Sequence, residues 1–275
     1  MKCIFCEQES SKSKSVEHII PESFGNSISI LRKGIVCDKC NNYFARKVES
    51  PFLNSSPVLK LREELCLKNK RGRVPAGRFP FPKDLVIKEI KKDKTFEIKT
   101  CKDLKPCELD KIVKFYKKYV GENDEELIRQ DYNLSRLLTK IAVEKFVEMN
   151  NQTEEVCQYI LEEKVFDEIR KYARYGAKTI WEFNARRIYS RDEAYKGDSR
   201  YAINWESDFL FTELGEVYHI LVLFGIEYAI NLGGPHVDGY REWLKTNNDK
   251  SPLYISREEK EENYKKYFER ISLIE

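Results

Sequence analysis

Four of the eight cysteines fall into two matched pairs, Cys3 and Cys6 in "CIFC" and Cys37 and Cys40 in "CDKC", with 30 residues between them. A C-x-x-C segment can turn two sulfurs toward one point, and two such corners complete a tetrahedral thiolate set suited to zinc. The intervening stretch is longer than the common ribbon spacing of about 15 to 20 residues, so something folded is inserted between the corners. Inside it, "SVEHIIPESFG" places His18, one of only three histidines, directly after Glu17 and directly before an apolar run. The competing reading of the cysteine pairs, a redox-sensing dithiol, calls for one such motif beside a βαβ pattern rather than two. The remaining cysteines, Cys66, Cys101, Cys107 and Cys157, are scattered.

The elements that must position these groups can be cut out by pattern. "SVEHII" reads as a short strand, "PESFGN" as a turn with Pro21 and Gly25, and "SISILRKGIV" as a second extended piece leading back to Cys37. After Cys40, "NNYFARKVESPFL" has helical character, starting at Asn41 or Asn42, with Tyr43, Phe44, Lys47 and Val48 at helical spacing and Pro51 as its stop. The order is strand, loop, strand, helix. Zinc would clamp its base.

With these residues in view, "EHIIPESFGN" followed by "CDKCNNYFARKVE" resembles the HNH endonuclease family, in the zinc-containing subgroup whose cysteine pairs flank a ββα-metal fold. The resemblance covers approximately residues 1 to 53. It implies that His18, at the end of the first strand, is the general base. It implies that Glu17 and Asn41 are oxygen ligands of a catalytic divalent ion, with Asn42 able to exchange roles with Asn41. The family often carries an asparagine a few residues before the second cysteine pair that fixes the loop and orients the histidine. Here that segment reads "SILRKGIV", so loop orientation must come from elsewhere, Asn26 or backbone groups being the candidates.

The residue types suit such chemistry. Hydrolysing a phosphodiester needs a water deprotonated near neutral pH, which neutral imidazole can do, and an electrophile for the charge that develops on phosphorus and the leaving oxygen. Mg²⁺ or Mn²⁺ held by a carboxylate and an amide oxygen would supply the electrophile, while a Zn²⁺ on four thiolates would be structural. Each residue also has a bland role. His18 could be a strand histidine bonded to a backbone carbonyl, Glu17 a solvated neighbour, and Asn41 a helix cap. Arg46 and Lys47 are placed to contact phosphates, yet cations late in a helix also offset its dipole.

The chain has 275 residues and 41% hydrophobic content, enough for a real core. No apolar run approaches the roughly 18 to 20 residues that span a bilayer, and "MKCIFCEQES" has no signal-like stretch, so a cytoplasmic protein without membrane association is expected. Residues 1 to 100 hold 21 Lys and Arg against 12 Asp and Glu, and the rest hold 28 against 34. A basic front suits phosphate contact. "LREELCLKNKRGRVPAGRFPFP" starts helical and becomes a basic connector in which Arg71 and Arg73 could meet a nucleic-acid strand, and "LVIKEI" with "TFEIKT" reads as a β-hairpin.

From about residue 106, "CELDKIVKFYKKYV", "DYNLSRLLTKIAVEKFVEM" and "VCQYILEEKVFDEIRKYARYG" carry helical periodicity. Then "TIWEFNARRIY", "DFLFTEL", "VYHILVLF" and "IEYAINL" read as strands of one antiparallel sheet, and "SREEKEENYKKYFERISLIE" as a terminal helix. His219, inside an apolar strand, is read as structural, and His236 as a surface loop residue. The expected fold is α+β: a zinc-stapled ββα-metal nuclease unit in residues 1–67, a basic connector and hairpin in 68–104, and a mixed helix and sheet domain in 105–275. That last domain carries no catalytic constellation, which leaves it substrate recognition, self-association or binding of a controlling partner. The expected activity is hydrolysis of DNA, with RNA open to the same chemistry. The resemblance suggests bacterial defence against foreign DNA as its setting. The alternative is a noncatalytic zinc-finger module that binds nucleic acid or protein.

Overall fold

The fold starts from a knot of backbone around sulfur. In this computed structural model the described residues are 1–26, 28–64, 67, 72, 85–90, 96–100, 127–189 and 205–271. Strands β1 (Glu17–His18) and β2 (Ile30–Leu31) pair antiparallel, with Glu17 opposite Leu31 and His18 opposite Ile30. Between them Glu22–Phe24 forms a 3-10 turn, closed by Gly25 at φ 84°, a left-handed conformation in which glycine has no side-chain penalty. Helix α1 (Asp38–Phe44) follows at once.

Two sequence expectations are corrected here. The helix begins at Asp38 rather than at Asn41 or Asn42, because the Cys37 sulfur itself caps it by accepting the Cys40 N–H at 3.4 Å. Nor does Pro51 stop it. Residues Ala45–Glu49 form a π turn in which the Ser50 N–H reaches back to the Ala45 carbonyl, and α2 (Ser50–Leu53) continues through the proline. A widened turn relaxes the i to i−4 ladder just ahead of the proline, which has no N–H to give.

The chain divides into two units, Met1–Phe52 with Gln130–Glu275, and Leu53–Arg129. This partition differs from the expected boundaries at 67/68 and 104/105, since the cysteine segment shares a unit with the carboxy-terminal half. The second unit contains α3 (Ser56–Glu64) and the hairpin of β3 (Leu85–Ile90) and β4 (Phe96–Thr100), which pair antiparallel with an irregularity between Ile87 and Ile90. The expected helix in "CELDKIVKFYKKYV", the connector residues Arg71 and Arg73, and Cys66, Cys101 and Cys107 lie outside the described residues.

In the first unit, α4 (Tyr132–Met149) is capped by the Asp131 carboxylate, which accepts the Leu134 N–H at 2.8 Å. It touches the π turn, β2, α6 (Val165–Tyr175) and β8 (Ile226–Asn231), so it is covered on nearly every side. A helix so enclosed buries polar side chains along with apolar ones: Arg136, Lys140, Glu144 and Lys145 are buried beside Leu137, Leu138, Ile141 and Val147. The expected single helix around 156–175 is two, α5 (Glu154–Glu162) and α6, separated where Glu163 is extended.

The four-stranded antiparallel sheet has the order β5-β8-β7-β6, with β5 at Asn184–Arg187, β6 at Glu206–Phe211 and β7 at Val217–Leu223. Residues Phe224 and Gly225 link β7 to β8 at φ 57° and 75°, the positive pair that a tight hairpin turn demands. Phenylalanine rarely adopts such an angle, and here its ring is buried 5.3 Å from that of Phe24, which offsets the strain by burial. Helix α7 (Asp238–Thr246) packs Tyr240 and Leu244 against Leu210, Tyr218, Ile220 and Ala229, and α8 (Arg257–Ile271) lies along β6. The α+β class and the antiparallel sheet follow the sequence expectation. Among the described residues no helix is long and apolar enough to cross a membrane.

Candidate metal centre and active site

The Sγ atoms of Cys3, Cys6, Cys37 and Cys40 all lie within 4.8 Å of one another, and those of Cys6 and Cys37 are 3.6 Å apart. Tetrahedral zinc with bonds of about 2.3 Å places its sulfurs about 3.8 Å apart, so the donor set fits the metal. Backbone N–H groups converge on the same sulfurs: that of Cys37 donates to Cys3 Sγ at 3.3 Å and that of Cys40 to Cys37 Sγ. Four packed thiols cannot share negative charge equally without a cation. The bond with Cys40 pulls the Cys3 thiol down to about 5, and the same pairing pushes Cys40 up. Burial pushes Cys6 up to about 11.

Helix α6 completes this cluster. Arg174 Nε donates to Cys40 Sγ at 3.2 Å, with its guanidinium 3.7 Å from the centre of the Tyr43 ring. Arg136 of α4 donates to the Tyr43 hydroxyl at 3.1 Å and to the Ala173 and Arg174 carbonyls. Arg170, fully buried, donates to the Ile4 carbonyl at 3.1 Å inside the first cysteine corner.

His18 closes the two-residue strand β1 with its side chain 26% exposed, and its Nε2 is 4.0 Å from Glu22 Oε2. The loop behind it is fixed by Asn26. Its Nδ2 donates to the Ile20 carbonyl at 2.6 Å and the Ser29 carbonyl at 2.9 Å, while its Oδ1 accepts the N–H groups of Ile28 and Ser29. All four bonding positions of a buried amide are used, so Asn26 fills the role left open when no asparagine was found before Cys37.

Asn41 Nδ2 donates to the Val16 carbonyl at 2.9 Å, which ties the first turn of α1 to the residue that leads into β1, two before His18. Its Oδ1 is the end of the amide suited to a hard cation. Asn42 is exposed on the same turn, and Arg46 and Lys47 are exposed on the π turn.

Glu17 is buried. Successive strand residues face opposite sides, and Glu17 faces inward, its carboxylate Oε1 2.7 Å from the Nζ of Lys140. Lys140 also pairs with Glu49 at 3.2 Å and Glu144 at 3.0 Å, and donates to the His18 and Ile19 carbonyls at 3.1 and 3.5 Å. Burial alone would lower its pKa, but Glu144, Glu17 and Glu49 outweigh that and hold the ammonium well above the usual lysine range. Burial, reinforced by Glu17 and Glu49, holds Glu144 well above the usual carboxylate range.

Residues 3–57, about a fifth of the chain, match a family model described as HNH endonuclease. That segment is HNH-like. No curated protein and no solved structure matches the chain.

The other two histidines lie apart from this site. His219 is fully buried, its Nε2 3.1 Å from Ser207 Oγ, and burial followed by the nearby Lys145 lowers it to about 3. His236 is exposed and 3.3 Å from Glu182. Sequence reasoning missed Lys140, Arg136, Arg170 and Arg174, whose only local signal is a charged residue set among apolar ones on a helix.

Proposed function

We propose that this protein is a divalent-metal-dependent HNH endonuclease that hydrolyses DNA phosphodiester bonds, with His18 as general base. One observation carries the reading: within the cysteine frame, the Asn41 to Val16 bond holds the first turn of α1 against the strand that ends in a partly exposed imidazole. His18 takes a proton from the attacking water, the new P–O bond forms, and the bond to the 3′ oxygen breaks with its electron pair leaving on that oxygen, which takes a proton from solvent, giving a 5′-phosphate and a 3′-hydroxyl. Asn41, with Asn42 as alternative, is the oxygen donor available to Mg²⁺ or Mn²⁺, an ion that when bound supplies the positive charge such a reaction needs. We assign Glu17 to holding the strand, because its Oε1 pairs with the buried Lys140. Exposed Arg46 and Lys47 would meet the nucleic-acid backbone. Defence against foreign DNA is the setting we infer.

The commitment of Glu17 favours a second reading, a zinc-stapled module that binds nucleic acid or protein without cutting. Incubation with supercoiled plasmid and Mg²⁺ or Mn²⁺ separates the two, with end-group analysis of any product. Nicked and linear DNA bearing 5′-phosphates supports the nuclease. Binding that weakens steeply with salt, without cleavage, supports the module.

A further inference from the structure

Resting on the nuclease reading, we propose that Lys140 of α4 is a positioning residue for His18, so that the carboxy-terminal half of the chain sets the geometry of the amino-terminal site. The ammonium is fully buried and has five oxygens within 3.5 Å, two of them the carbonyls of His18 and Ile19 and one the carboxylate of Glu17. Three of those five belong to the consecutive residues Glu17, His18 and Ile19, that is β1 and the residue after it. They gather β1 onto one point of α4, and strand alternation then fixes the opposite face as the one that displays the His18 ring. Glu49, just ahead of α2, and Glu144, one turn further along α4, complete the cage, so the same cation joins strand, helical segment and α4.

The ordinary reading of Lys140 is a satisfied buried ion pair that serves only the fold. Two features go beyond it. The lysine engages main-chain carbonyls at the histidine itself, and it holds the carboxylate of the residue next to it in β1. Removing the cation leaves three acids crowded with nothing between them, and a shift of the strand by about 1 Å is enough to cost about 100-fold in rate.

The test uses the full chain with labelled histidine. Three histidines give three imidazole Cε1–H signals, and the one missing from His18→Ala belongs to His18. In Lys140→Met the His18 signal should move or split while those of His219 and His236 stay. Zinc content should be unchanged, and kcat should fall about 100-fold with KM within twofold. Glu17→Gln keeps an acceptor for the ammonium and serves if Lys140→Met does not fold. It should move the same signal by less and leave the Mn²⁺ midpoint for cleavage unchanged. A His18 signal unmoved in the folded variants overturns the proposal, as does movement of all three signals together, which marks a purely structural residue. A tenfold rise of the Mn²⁺ midpoint in Glu17→Gln would make Glu17 a ligand and overturn it too. A wild type that cuts nothing refutes the nuclease, and the histidine signals still decide whether Lys140 positions the ring.

Discussion

Replacing Asn26 by alanine removes one side chain and four hydrogen bonds, and the consequences can be worked out bond by bond. The two Nδ2 bonds, to the Ile20 and Ser29 carbonyls, are buried, as is the Oδ1 bond from the Ser29 N–H. The fourth, from the Ile28 N–H, lies in a partly exposed position and counts for less. At about 1 kcal/mol net for each buried bond, with further cost for main-chain groups left dry, Asn26→Ala should destabilise the protein by about 3 kcal/mol. Asn26→Asp keeps the acceptor but sets a buried carboxylate oxygen against the Ile20 and Ser29 carbonyls, so it should destabilise at least as much as alanine. Urea unfolding gives the stability, and amide exchange at Ser29 reports the loop directly. Cleavage should fall as well, since Ile20 is only two residues beyond His18. Zinc should remain, because no cysteine touches the loop's bonds. An unfolding midpoint equal to wild type with Ser29 still protected would refute the clamp.

Arg174→Gln removes a cationic donor from Cys40 Sγ, and zinc should transfer to a chromogenic chelator at least tenfold faster, in line with the usual cost of losing a supporting contact to a metal ligand. Equal transfer rates would show that the guanidinium does nothing for the metal. His219 should make the protein acid-sensitive. Its pKa is depressed to about 3 in the folded chain, so the stability it allows is complete above about 6.5 and is lost as pH falls toward about 3. The slope is one proton, about 1.4 kcal/mol per pH unit. Urea titrations at pH 6 and pH 4.5 should show a slope that shrinks in His219→Gln, and an unchanged slope would refute the assignment.

Much of the local structure was legible because it is written in short-range pattern. The cysteine spacing gave the thiolate cluster, the apolar runs gave β6 to β8, and the 134, 138, 142, 146 spacing gave α4. Boundaries failed where an unusual backbone partner intervened. A sulfur capped α1 ahead of the asparagines, and a π turn carried the helix past Pro51. The larger omission was the contribution of α4 and α6. Lys140 meets Glu17 and the His18 carbonyl across more than 120 residues, and Arg174 meets Cys40 across 134. Nothing local distinguishes such a cation from one on a solvated helix face, because its burial is decided by what packs over it. Period showed one apolar face of α4, whereas the cysteine segment, α6 and the sheet cover nearly all of it. A carboxy-terminal half read as architecture without chemistry thus supplies the charged groups that hold both the sulfur cluster and β1.

The most direct measurement compares wild type and His18→Ala, matched for zinc content and folded fraction, on plasmid DNA across a Mn²⁺ titration. The wild type should cut in a divalent-dependent manner and the variant should lose at least 100-fold, with zinc and unfolding midpoint preserved. Equal cutting by the two proteins, or none by either while both hold zinc and bind DNA, would contradict the assignment of His18 as general base.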